Sequence, residues 1–202
     1  MEQKRFDNRK MLFNETMEWI RSEYQDLKDI DVVIGIPFYN EEDTLKNIIS
    51  IAKNSLKTKN RKLIACVGDP AGESTLSKIK EFFGDEVIGF IMPTNINGRG
   101  YSIRAIMELA RLLKSDLVLL EADLESNKGM GINSQWVDRI ANPVFNDYDM
   151  AVACFQRHPF EDIIGSLLVS PVISTLYRMK LKDPLSGVFA IAHDLVEDFC
   201  TE

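Results

Sequence analysis

DVVIGIPFYNEEDTLKNIISIAKNSLK, residues 31–57, changes its period partway along. DVVIGIP (31–37) is a short β-branched run that closes on a proline, the pattern of a strand buried on both faces. EEDTLKNIISIAKNSLK (41–57) carries acidic residues in its first turn, where the positive end of a helix macrodipole favours them, and reads as a helix.

The same alternation continues downstream. KLIACVG (62–68) is a second strand, residues 73–83 a helix opening near Glu73 and Ser74, and EVIGFIMP (86–93) a third strand. GRGYSIRAIMELARLLKS (98–115) is a long helix and DLVLLEAD (116–123) a fourth strand. Strands that are apolar throughout and alternate with helices imply an α/β domain, with a mostly parallel central sheet and helices on both faces. Beyond residue 124 the pattern loosens. NSQWVDRIANPVF (133–145) is expected to be helical up to Pro143, DMAVACF (149–155) a strand, and DIIGSLLVSPVISTLYRM (162–179) an apolar helix interrupted at Pro171. GVFAIAHD (187–194) is a last strand, followed by the start of a helix.

Upstream, Phe6, Phe13, Met17, Ile20, Tyr24 and Leu27 recur at helical spacing over residues 5–28. Their opposite face mixes charges instead of being basic, which suits a helix docked on the body better than one lying on a membrane. The expected organisation is therefore an amphipathic helix over 1–30 packed on a domain over 31–202. The outer side of that helix is the expected surface for a homodimer.

Composition narrows the function. The 202 residues are 45% hydrophobic and 27% charged, with a net charge of −7. That is a globular balance, and it excludes non-specific nucleic-acid binding, which needs clustered Lys and Arg. Cys66, Cys154 and Cys200 form no CxxC pair, so buried thiols in a reducing compartment are expected. With no signal-type N-terminus and no run of about 18 apolar residues, the expected location is the cytoplasm, without a membrane span.

In open α/β sheets, ligands bind beyond the carboxyl ends of the strands. Here those ends deliver Pro37, Tyr39, Asn40 and Glu41 from the first strand, and Gly68 and Asp69 from the second. Asn95, Asn97, Gly98 and Arg99 follow the third, and Glu121 and Asp123 the fourth. P-loop and GxGxxG cradles are absent. In LVLLEADLES (117–126) the crowded carboxylates Glu121, Asp123 and Glu125 need water, a metal or a basic side chain to hold them. An i, i+2 pair on one side of a strand end suits an oxygen-ligated Mg²⁺ or Mn²⁺ that bridges to a diphosphate.

Taken together, these residues resemble a known superfamily. IPFYNEEDTLKNII resembles the opening of the GT-A glycosyltransferases, and EAD (121–123) stands where they keep Asp-x-Asp. NGRGYSIRAIMELA, AVACFQRHP (151–159) and DPLSGVFAIAHDLV (183–196) are similar to segments of the glucosyl-3-phosphoglycerate and mannosylglycerate synthases. The resemblance runs from about residue 31 to 198.

It implies a GT-A fold and a retaining transfer of a hexose from a nucleotide-diphosphate sugar, of UDP-glucose or GDP-mannose type. The acceptor would be small, hydroxylated and anionic, and the cofactor a divalent cation, Mg²⁺ or Mn²⁺. Pro37, Tyr39 and Glu41 would surround base and ribose, with Asp69 near the base. Arg99 would reach base or phosphate, Asp123 would bind the metal beside Glu121, and Leu185, Ser186 and Gly187 would line the sugar and acceptor side. Arg157 is a candidate for an anionic group.

The chain also departs from the pattern. Gly68 stands at the family's usual Asp, Arg99 replaces a Lys, Glu121 replaces the first Asp, and Val188 replaces a Glu. DIIG (162–165) lacks the Arg and Thr that hold the acceptor phosphate. The family's C-terminal Gly-Tyr-Gly-x-Glu segment and metal-binding His are expected to be missing. His158 and His193 are not at the equivalent place, and His193 reads as a satisfied strand-end residue. These departures support an alternative: a catalytically impaired sugar-nucleotide-binding or regulatory protein of the same fold. A nucleotidyltransferase would want a Gly-rich, Arg-containing signature after the first strand, which IPFYNEED lacks.

Overall fold

The structure, a computed structural model, describes residues 2–57, 61–124, 132–155, 164–178, 182–183 and 185–201. In chain order the elements are α1 (Glu2–Tyr24), β1 (Val32–Phe38), α2 (Glu42–Asn54), β2 (Lys62–Gly68), α3 (Glu73–Phe83), β3 (Val87–Ile91) and α4 (Arg99–Leu113). They continue as β4 (Asp116–Leu119), α5 (Ser134–Ala141), β5 (Met150–Val152), α6 (Ser170–Tyr177), β6 (Phe189–Ile191) and α7 (His193–Thr201).

The strands form one sheet in the order β3-β2-β1-β4-β6-β5. The pairs β3–β2, β2–β1 and β1–β4 are parallel, while β6 runs antiparallel to both β4 and β5. The sheet is thus mostly parallel with one reversed strand. Chain direction across it switches at β1–β4: the crossovers from β1 run outward to β2 and β3, and β4 returns to the opposite side.

Each central strand is buried on both faces because its alternate side chains enter two separate cores. On one face Val32, Ile34, Ile36 and Phe38 of β1 pack with Ile48 and Ile49 of α2, Ile79 of α3 and Val137 of α5. On the other, Val33 joins Ile106 and Leu109 of α4, Val196 of α7, and Met17 and Ile20 of α1. Gly35 admits α4 at close range, since a methyl group there would collide with the side chain of Ile106.

Several boundaries differ from the sequence reading. Helix α1 ends at Tyr24, leaving Leu27 in the connection to β1. Helix α2 ends at Asn54, where Ser55 turns extended and Leu56 takes a left-handed φ of 51°. Strand β4 stops at Leu119, because its pairing with β1 ends at Gly35 and with β6 at Phe189. Pro171 does not interrupt its helix. A π turn over Gly165–Val169, closed by Ser170 N donating to Gly165 O, absorbs the missing proline donor, and α6 continues from there.

Of the thiols expected to be buried, Cys66 is buried and Cys200 partly so, but Cys154 is exposed just beyond β5. Among the described residues, no helix is long and apolar enough to cross a membrane.

Candidate functional site

A cleft of about 260 Å³ opens at the carboxyl ends of the central strands. It takes Pro37, Phe38, Tyr39 and Glu41 from the end of β1, Asp69 from β2, Arg99 and Ser102 from the start of α4, and Glu121, Ala122 and Asp123 after β4. The topology therefore brings Pro37, Tyr39, Glu41, Asp69, Arg99, Glu121 and Asp123 together at the switch point of the strand order, whereas Asn95 and Asn97 line a separate depression beside α1.

Each of these residues is positioned by a local cause. Glu41 turns back on its own loop, its Oε2 accepting from the amides of Tyr39 (2.8 Å) and Asn40 (3.1 Å). That leaves the Tyr39 ring half exposed at the rim. Asp69 Oδ1 accepts from the amide of Gly98 at 2.7 Å. Gly98, with φ of 113°, then turns the chain into α4, its carbonyl accepting from the amides of Tyr101 and Ser102. Asp69 thereby fixes the point from which Arg99 departs. Gly72 keeps this corner tight, since a side chain there would strike the Tyr39 carbonyl and the Phe38 ring.

The acids after β4 correct the expected geometry. Because the strand ends at Leu119, Glu121 and Asp123 lie in the following turn instead of on one side of a strand. The basic side chain is the partner the structure shows: Arg99 Nη2 donates to Glu121 Oε1 in an ion pair. Asp123 is exposed, and no hydrogen bond or ion pair engages it among the described residues.

The reversed strand β6 brings Gly187 to the same place. A methyl group on Gly187 would clash with both Arg99 Nη2 and Glu121 Oε1. Ser186 shapes this approach: its Oγ is 3.2 Å from the Val188 carbonyl and 3.3 Å from the Val188 amide, and its own amide donates to the Asp183 carbonyl. Leu185 is exposed beside it.

Sequence reasoning missed Ser102, buried one turn into α4, and the role of Asp69 as the anchor of Gly98. The spacing of Gly98 and Ser102, i and i+4 at a helix start, was the available signal for Ser102. His193 is not fully satisfied: its amide donates to Asp116 Oδ1 at 3.0 Å, but its buried Nδ1 has no hydrogen-bond partner among the described residues. Arg157, His158, Glu125 and most of DIIG (162–165) lie outside the described residues.

Electrostatically, among the described residues four carboxylates (Glu41, Asp69, Glu121, Asp123) line the cleft against one guanidinium. Such a site attracts cations, and a diphosphate entering it needs positive charge. Among the described residues, no group of three or more His, Cys, Asp or Glu side chains converges as a metal centre. A hard divalent cation is commonly held by one or two carboxylates plus the substrate's own phosphates and water, with no all-protein cage. Glu121 already holds a cationic group, and Asp123 stands two residues on. These two carboxylates of the cleft lining are the residues that would hold a cation in that mode.

No family model matches the sequence. Dolichol-phosphate mannosyltransferase of Pyrococcus furiosus is 24% identical over 176 residues, covering 82% of this chain and 47% of that protein. Glucosyl-3-phosphoglycerate synthase of Mycobacterium tuberculosis, in complex with Mn²⁺, UDP-glucose and phosphoglyceric acid, superposes with a TM-score of 0.61 at 16% identity, over 89% of this chain and 61% of that one. The same synthase with Mn²⁺, UDP and glucosyl-3-phosphoglycerate gives 0.61 at 17%, over 89% and 60%. The chain spans about half the length of the curated relative and three-fifths of the synthase chains. The fold is that of the GT-A glycosyltransferases.

Proposed function

We propose that the chain carries the donor site of a glycosyltransferase that moves a hexose from a nucleotide-diphosphate sugar to a small, hydroxylated, anionic acceptor with retention at the anomeric carbon. The observation that carries this reading is the convergence of the ends of β1, β2 and β4 and the start of α4 on one cleft at the switch point, where Arg99 pairs with Glu121. Pro37, Tyr39 and Glu41 bound the side where base and ribose sit, and Asp69 both lies near the base and fixes the start of α4. Arg99 meets the diphosphate and stabilises the charge that grows on it as the glycosyl–phosphate bond breaks. Glu121 and Asp123 would hold a divalent cation, which supplies Lewis-acid stabilisation of the leaving group when bound. Ser186 and Gly187 line the sugar and acceptor side. A homodimer through the outer side of α1 belongs to the same proposal.

A second reading, a nucleotide-sugar-binding protein without turnover, is favoured by the ion pair that already engages Glu121. Thermal unfolding with UDP, GDP and ADP in turn, with and without Mn²⁺, tests the donor site. Ligand at about 100 times its Kd adds roughly 2.7 kcal/mol, which raises Tm by about 5–10 °C for a chain of this size. A rise with one nucleotide that grows with Mn²⁺ supports the site and names the base. No rise with any of them overturns it. Hydrolysis or transfer of the matching nucleotide sugar then separates the enzyme from the binding protein.

A further inference from the structure

The Arg99–Glu121 pair gives the cleft a property beyond donor binding. Glu121 is only partly exposed, and its Oε1 carries a guanidinium where a metal-binding carboxylate would carry a cation. Arg99 comes from the first residue of α4, anchored through Gly98 by Asp69, so its reach is set from one side of the cleft. Gly187 sets it from the other, because only a residue without Cβ leaves room for both side-chain tips.

We infer that Arg99 is an internal counter-cation, which withholds Glu121 from metal until a diphosphate draws the guanidinium away, so that cation and nucleotide bind as a coupled pair. This rests on the donor-site reading above. A divalent ion arriving alone meets Asp123 and a Glu121 already neutralised, with a positive charge beside it. A nucleotide arriving alone meets four carboxylates and an arginine already paired. When both arrive, the diphosphate takes Arg99 and the ion takes Glu121. By linkage, the factor by which nucleotide tightens the metal equals the factor by which metal tightens the nucleotide.

The test is Mn²⁺ affinity of the 202-residue chain without nucleotide, followed by the electron paramagnetic resonance signal of free Mn²⁺. Wild type is expected to bind weakly. Arg99→Ala, which removes the competing cation, should bind Mn²⁺ about five- to tenfold more tightly, the scale set by an exposed ion pair and one nearby like charge. Gly187→Ala should shift the same way. Both tips it displaces are ends of flexible side chains and Gly187 has no positive φ, so this variant is expected to fold. Adding Glu121→Gln to either variant should return Mn²⁺ binding to the weak level.

Unchanged or weaker Mn²⁺ binding in Arg99→Ala and Gly187→Ala overturns the inference, as does tightening that survives Glu121→Gln. The nucleotide arm is separate. If UDP, GDP and ADP all fail to bind, the donor-site reading falls, yet the Mn²⁺ series still decides whether Arg99 guards Glu121. If nucleotide binds but its affinity is the same with Mn²⁺ and with EDTA, the donor site stands and the coupling is refuted.

Discussion

Arg99 and Glu121 form an ion pair in the lining of the cleft, the arginine from the first residue of α4 and the glutamate from the turn after β4. Gly187, just before β6, borders the pair with a bare Cα.

Replacing Arg99 by Ala removes the one cation among the described residues of the cleft lining. A charge-assisted contact to a diphosphate contributes about 1.5–3 kcal/mol, so calorimetry should show nucleotide diphosphate binding weakened by roughly 10- to 100-fold. Affinity equal to wild type would leave Arg99 a surface residue paired with Glu121 and nothing more.

Asp123, exposed in the turn, is the carboxylate proposed to meet the cation of a metal–nucleotide complex. Asp123→Ala is expected to abolish the Mn²⁺-dependent part of the thermal shift with nucleotide while leaving Tm without ligand unchanged, because an exposed side chain with no partner among the described residues stabilises little. Persisting metal dependence would place the cation elsewhere.

Gly72→Ala tests the corner between β1 and β2. Its new methyl group would press on the carbonyl of Tyr39, which is backbone and cannot yield as a side chain does, and on the Phe38 ring, at 2.7 Å from Cε2. Overpacking of this kind costs about 1–3 kcal/mol. Tm should therefore fall by roughly 3–10 °C. Nucleotide affinity should fall with it, since Tyr39 moves. A wild-type Tm would show that the corner is looser than the structure has it.

Cys66 lies on β2 in the core, and burial alone pushes its thiol far above the ordinary 9.0. The sign follows directly. Above pH 9 the unfolded chain releases this proton and the folded chain retains it, so the unfolded state binds fewer protons and stability falls as pH rises. The loss approaches about 1.4 kcal/mol per pH unit, is absent below pH 8, and should disappear in Cys66→Ala once that variant's own packing loss is subtracted. A thiol reagent at pH 8 should label exposed Cys154 rapidly and Cys66 only on unfolding. Rapid labelling of Cys66 in the folded chain would contradict its burial.

What was legible in the chain follows from the range of the forces involved. The limits of β2 and α3 match their sequence reading, because a run such as KLIACVG and the periodic Leu76, Ile79 and Phe83 carry their own burial pattern. The site candidates were legible for a related reason: in a sheet of parallel strands, residues just beyond successive strands must share one rim. Short elements were harder. Strands β5 and β6 have three residues each, and the residues beside them carry little periodicity to read.

The amino-acid sequence by itself determined the α/β class, the strands that fill two cores, and the rim on which Tyr39, Asp69, Arg99 and Glu121 would meet, because hydrophobic period and strand direction are properties of neighbouring residues. Only the tertiary structure decided that β4 ends at Leu119, that Asp69 anchors Gly98, and that Arg99 closes on Glu121 against Gly187. A strand ends where its partners end. An ion pair forms where two distant segments are brought within reach, and nothing local to Arg99 or Glu121 specifies either.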